Sequence, residues 1–147
     1  MAHNTIKQIV CSGGMFLAKD TKRFLFLLRT HGRTAGTWGL AGGKKDPVDI
    51  THVDTLNREI IEELGFLPDI KKYVPLEYYS SNDDTFYYHT YVLLVDHEFI
   101  PILNDEHSGY SWVSNGNWTK PLHNGLRTTL ASRTTKVKIQ TILDLVG

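Results

Sequence analysis

The chain has one cysteine, no excess charge of either sign, no low-complexity tract and no long apolar run. Each shortage removes a class of protein. A lone Cys11 cannot close an internal disulfide, and its setting in Ile9-Val10-Cys11 reads as a small buried hydrophobe rather than a nucleophile, since no histidine stands nearby in sequence. Lys plus Arg number 16 and Asp plus Glu number 16, so no global field is available to hold a long polyanion, and long nucleic acid is not expected as a partner. No stretch reaches the roughly 20 apolar residues that a bilayer span needs, and no basic region followed by an apolar run opens the chain. The expectation is a soluble, cytoplasmic protein with no membrane partner.

What is present suits one hydrophobic core. With 147 residues, 41% of them hydrophobic, no internal repeat and no Pro-, Gly- or Ser-rich linker, the chain reads as a single domain over residues 1–147. Residues 5–18 read as a strand, interrupted or bulged at Gly13-Gly14. The run Arg23-Phe24-Leu25-Phe26-Leu27-Leu28-Arg29 is apolar throughout its interior, which predicts a strand buried on both faces and paired with the first across a turn at 19–22. Loop and a short strand follow over 31–43.

The clearest helix is predicted over 53–64. Thr51 with Asp54 three residues on has the form of a cap, Leu56, Ile60 and Leu64 make an apolar stripe, and Gly65 supplies a stop. Strands are predicted at 73–80, 86–96 and 110–113, with turns at 82–84 and near 115–116, and a final helix over 136–146. This order implies an α+β fold in which a mixed sheet lies between helices.

The chemistry concentrates in Arg58-Glu59-Ile60-Ile61-Glu62-Glu63-Leu64-Gly65-Phe66. On a helix Glu59, Glu62 and Glu63 stand at i, i+3 and i+4 and share a face, while Ile60 and Leu64 turn toward the core. Like charges so placed repel, which makes best sense if a cation sits against them, and a hard, oxygen-seeking ion such as Mg²⁺ or Mn²⁺ is the natural candidate. An arbitrary Glu-x-x-Glu-Glu is usually just a solvated face. What changes the reading is Leu40-Ala41-Gly42-Gly43-Lys44, a glycine turn at a distance that brings it back onto the helix. The histidines give no zinc spacing, His89, His97 and His107 being too dispersed.

Together these residues resemble the Nudix box, G-x5-E-x7-R-E-U-x-E-E-x-G-U, with U aliphatic. Arg58, Glu59, Ile60, Glu62, Glu63 and Gly65 match its second half, Phe66 fills the last apolar place, Gly43 matches the opening glycine, and Trp38-Gly39-Leu40 is similar to the usual approach. Two departures stand out. The sixth residue after Gly43 is Asp49 rather than glutamate, and Asp49 to Arg58 spans one residue too many, which places the insertion in the loop around 46–51. Ala41 also stands where a proline is common.

The resemblance implies a Nudix fold, an α/β/α sandwich, and hydrolysis of a diphosphate bond linking a nucleoside to another moiety, with Mg²⁺ or Mn²⁺ as cofactor. It implies Glu59 and Glu63 as principal metal ligands, Glu62 as ligand or water-activating base, and the Gly43 carbonyl as a further ligand. Arg58 would hold a catalytic glutamate by a charge-assisted hydrogen bond. Glu106, in a loop before Tyr110-Ser111-Trp112-Val113, fits the extra carboxylate that relatives place in such a loop. Lys44, Arg29, Lys45 and Arg33 are candidates for phosphate contact, of which Lys44 adjoins Gly43. Trp38 and the group Tyr78, Tyr79, Phe86, Tyr87 and Tyr88 offer stacking surfaces, although aromatic strands are more often core. The expected partner is a small nucleotide such as ADP-ribose, a dinucleoside polyphosphate or a dinucleotide cofactor, and a homodimer is kept open. The alternatives are a MutT-like nucleoside triphosphate or RNA 5′-end pyrophosphohydrolase, and a nucleotide-binding module without turnover.

Overall fold

The structure, a computed structural model, describes residues 7–147. Positions 5 and 6 of the expected first strand lie outside the described residues. The elements are β1 (Ile9–Ala18), β2 (Arg23–Arg29), a 3₁₀ turn at Gly32–Thr34, β3 (Trp38–Gly39), β4 (Ala41–Lys44), α1 (His52–Leu64), β5 (Lys72–Ser80), β6 (Phe86–Val95), β7 (His107–Ser114), α2 (Asn124–Ala131) and α3 (Arg133–Val146).

Seven strands form one mixed sheet along the path β3-β2-β1-β6-β5, with β7 beside β2 and β4 beside β1. β1 lies parallel to β6 along its whole length, from Ile9↔Phe86 to Ala18↔Val95. Its other edge is divided. Cys11 to Gly14 pair with β4, and Leu17 pairs with Phe24 of β2.

The alternation of β2 explains the layers. Leu25 and Leu27 turn to one face of the sheet, where they join Phe16, Leu93, Val95 and the stripe Leu56, Ile60 and Leu64 of α1. Phe24 and Phe26 turn to the other, where Met15, Leu17 and Val92 meet Leu126 and Leu130 of α2 and Ile139 and Leu143 of α3. The strand is therefore buried on both faces, as its composition predicts, and the architecture is the expected α/β/α sandwich. The three stripe residues of α1 are fully buried, each contributing about 1.5–3 kcal/mol of apolar transfer.

α1 begins and ends where its signals fall. Thr51 accepts from the Asp54 N–H while Asp54 accepts from the Thr51 N–H, a complete capping box, and Gly65 closes the helix in the left-handed conformation at φ 83°.

Five readings change. β1 runs unbroken through Gly13-Gly14, with an even register against both neighbours. The glycines are required by close approach instead, because a methyl group would overlap Tyr88 at Gly13 and Leu93 at Gly14. The segment after β2 holds two short strands, and α3 starts three residues before the predicted 136. α2 was not foreseen, because its buried positions include Thr129 beside Leu126 and Leu130, which blunts the apolar stripe. Finally, the aromatic strands are not simply core: Tyr78 and Tyr79 are more than half exposed.

Candidate active site

α1 carries its three glutamates from core to solvent. Glu63 is buried, Glu59 largely so, and Glu62 is 54% exposed. The glycine bend at the start of β4 closes over them. The Gly42 N–H donates to Glu63 Oε2 at 2.8 Å, and the Gly43 Cα lies so close to the Glu59 carboxylate that a methyl group there would overlap it. Gly42 itself packs on the backbone of Ser12 and Gly13 in β1, where no side chain fits. Pairing of β4 with β1 thus delivers the bend to the helix.

Arg58 is the organising cation. Its Nε and Nη2 donate to Oδ1 and Oδ2 of Asp49 at 3.2 and 2.9 Å, its Nη1 to Glu59 Oε1 at 3.0 Å, and its Nη2 also to the Lys44 carbonyl at 2.9 Å. Asp49 further accepts from Thr55 Oγ1 at 2.9 Å and from the Asp46 N–H at 2.8 Å. Arg58 thus donates to one box glutamate, but its forked contact goes to Asp49, which ties the loop carrying the extra residue back to α1. The guanidinium and these donors hold the Asp49 carboxyl well below the usual carboxylate range.

The surroundings of Glu63 act in the opposite sense. Burial, reinforced by the charges of Glu59 and Glu106, pushes its carboxyl up to about 8, against the pull of the Gly42 N–H and the more distant Arg29. Glu59 is also raised, chiefly by burial. A buried glutamate with a 2.8 Å backbone donor and two further carboxylates near it is a poor home for negative charge alone and a fitting one for divalent cations. Glu59, Glu62, Glu63 and the neighbouring Gly43 carbonyl are the groups that would hold them.

The loop before β7 completes the cluster. The Ile102 N–H donates to the Leu64 carbonyl at 2.9 Å and Asn104 Nδ2 to the Glu62 carbonyl at 3.0 Å, so the loop satisfies the open end of α1. Asn104 Oδ1 in turn accepts from the Glu106 N–H at 3.0 Å. As a result Glu63, Glu106 and His107 each offer a ligand atom, all within 4.8 Å of one another. Glu106 thus joins the box carboxylates. His107 and Asn104 were missed, since neither has a local pattern that links it to α1. Burial, with the charge of Arg29, lowers the His107 imidazole to about 4.

The remaining candidates are spread more widely. Arg29 ends β2 opposite His107, half-buried, and its charge reaches Glu63 and His107. The Lys44 side chain is exposed beside the bend. Trp38 packs against the core on the α2/α3 face, away from α1. Tyr78, Tyr87, His89 and His52 instead form a ladder of rings at the N-terminal end of α1, with His52 and His89 stacked at 3.6 Å and Tyr78 4.7 Å from His89. Together with Gln8 and Val10 they line an open pocket of about 430 Å³.

This fold and this cluster coincide with a known domain: the NUDIX domain model matches residues 12–131. The chain belongs to the Nudix hydrolase family. A 17.7 kDa protein encoded in the e-segB intergenic region of Enterobacteria phage T4, itself uncharacterised, is 31% identical over 100 residues, which is 63% of this chain and 66% of that protein, just under two thirds of its length. The structure of a MutT NUDIX hydrolase from Burkholderia pseudomallei is similar at 25% identity and a TM-score of 0.64, over 84% of this chain and 96% of that one. An Ap4A hydrolase from C. elegans shares the fold at 16% identity and a TM-score of 0.69, over 91% and 98%. The NUDIX domain of Shewanella oneidensis NrtR, in complex with ADP ribose, does so at 19% and 0.65, over 83% and 85%. Among the described residues no helix is long and apolar enough to cross a membrane.

Proposed function

We propose that this chain, acting as one catalytic domain, uses Mg²⁺ or Mn²⁺ to hydrolyse the diphosphate bond of a nucleoside diphosphate joined to a second moiety. The observation that carries the reading is the convergence of Glu59 and Glu63 on the Gly42-Gly43 bend, with Glu63 hydrogen-bonded to the bend itself and Glu106 brought beside Glu63. Divalent ions held there would neutralise charge on the diphosphate, orient it and acidify the attacking water. The chain's own groups do the rest. Glu59 is kept in position by Arg58, whose other contacts to Asp49 and the Lys44 carbonyl fix the bend and the helix as one unit. Glu62, the most exposed of the helix carboxylates, is the group we assign to accept a proton from water. Arg29 and Lys44 offset the charge of the phosphates.

The nucleoside half of the substrate is suggested by the aromatic pocket, whose rings offer flat faces to a base and whose Gln8 offers an amide. The ADP-ribose complex and the Ap4A hydrolase that share this fold favour the same class. The test is a panel of ADP-ribose, dinucleoside polyphosphates, dinucleotide cofactors, nucleoside triphosphates and triphosphorylated RNA with Mg²⁺ or Mn²⁺. Release of a mononucleotide from one of the first three is expected. Preference for triphosphates would shift the assignment to a MutT-like enzyme, and silence across the panel would leave a binding module.

A further inference from the structure

His107 opens β7, is 5% exposed, and its Nδ1 has no hydrogen-bond partner among the described residues. That is unusual, because buried polar atoms are nearly always satisfied. The charged group it meets is Glu63, whose Oε1 stands 3.9 Å from Nδ1, too far for a hydrogen bond. If Nδ1 carries a lone pair, it faces other acceptors. If it carries the hydrogen, that hydrogen reaches none of them. Either state is left open unless something bridges the gap.

A metal ion does so. Ligand bonds of about 2.0–2.2 Å to nitrogen and oxygen allow two atoms on one ion to stand up to roughly 4.3 Å apart, which includes the Nδ1 to Oε1 separation. The exposed Glu106 side chain, which has a carboxylate oxygen within 4.8 Å of a ligand atom on each of the two residues, has the freedom to close the remaining distance. The backbone that carries the imidazole is also fixed, since β7 is paired with β2 at Arg29↔His107 and the His107 backbone N–H reaches back to the Asn104 carbonyl at 3.4 Å.

We propose that His107 is a nitrogen ligand of the metal centre, sharing an ion with Glu63 and Glu106, and that it tilts the centre from Mg²⁺ toward Mn²⁺ or Co²⁺. Mg²⁺ keeps to oxygen, whereas a site containing nitrogen gains affinity along the first row from Mn²⁺ to Co²⁺. The proposal rests on reading the carboxylate cluster as a metal centre, but not on the identity of any nucleotide.

Pulsed electron paramagnetic resonance of Mn²⁺ bound to the unaltered protein tests it directly. The expected spectrum shows nitrogen hyperfine coupling that changes when the histidines carry ¹⁵N. His107→Gln should abolish that coupling and weaken Mn²⁺ binding by roughly ten- to a hundredfold, with Mg²⁺ binding changed by no more than about threefold. Bound Mn²⁺ without nitrogen coupling would overturn the proposal, as would coupling that survives in His107→Gln, or no Mn²⁺ binding at all. The unaltered protein supplies the decisive spectrum, so a variant that fails to fold leaves the test intact. Coupling in a protein that cleaves no nucleotide would sink the hydrolase reading alone. Hydrolysis without coupling would sink this one alone.

Discussion

Asp49, beside α1, and Glu63, on it, are both buried carboxylates, yet their surroundings drive them in opposite directions. Asp49 receives four hydrogen bonds, two of them from a guanidinium, and is held ionised far below the usual range. Glu63 receives one backbone hydrogen bond, has no lysine or arginine paired with it among the described residues, and is pushed up to about 8. Neither side chain is open to solvent, but burial is the main force on Glu63, whereas on Asp49 the hydrogen bonds from Arg58 and the Asp46 N–H outweigh it. A carboxylate whose partners are already supplied serves to hold the chain together; one left short of positive charge is available to a ligand.

The contrast can be broken most severely at Glu63. Glu63→Gln keeps the shape and the Gly42 contact but removes the charge, and turnover should fall by about two to four orders of magnitude with no loss of thermal stability. A variant that keeps its rate would end the assignment of Glu63 to the metal centre. Asp49→Asn should do the reverse in kind. It loosens the hold on Arg58 and lowers the melting temperature, while turnover drops only about tenfold, the scale of supporting contacts around a metal site. If its rate falls as far as that of Glu63→Gln, Asp49 belongs to the reacting cluster and the division drawn here is wrong.

The smallest effect sharpens the comparison through pH. In the metal-free protein Glu63 keeps its proton between the ordinary glutamate value of 4.5 and about 8, where the unfolded chain has lost it, so stability declines as pH rises through that window. His107, lowered from 6.5 to about 4, contributes the opposite slope between those values and none above them. Asp49 adds stability that is full above its ordinary 3.8 and lost only in acid below it. Melting temperatures of metal-free protein should therefore fall by a few degrees from about pH 6.5 to 8.5, and Glu63→Gln should flatten that decline. An unaltered slope in the variant would mean that Glu63 does not hold the proton.

The sequence disclosed what is encoded locally. Thr51, Asp54, Gly65 and the stripe Leu56, Ile60 and Leu64 each act within a turn or two of α1, so helix and glutamates were readable without knowledge of the fold. Asp49 was visible only as an irregularity, because its partnership with Arg58 depends on how the loop of 46–51 folds back. His107 and Asn104 lie 44 and 42 residues beyond Glu63 and Glu62, and reach α1 through a loop of no regular period. The aromatic ladder was half visible: Tyr78 and Tyr87 stood out as stacking surfaces, whereas His52 and His89 join them only once β5, β6 and α1 meet at the sheet edge.

The divided edge of β1 has a further consequence. A strand clasped by β4 along Cys11 to Gly14 and by β2 at Leu17, while running beside β6 throughout, cannot slide against one neighbour without misaligning the others. Changes of length near the glycine bend must therefore be taken up elsewhere, and the stretch between Lys44 and the cap at Thr51 is where the chain is free to grow. The surplus residue sits there, bridged by Asp49 and Arg58, so this connection can be longer without disturbing the spacing of bend and glutamates.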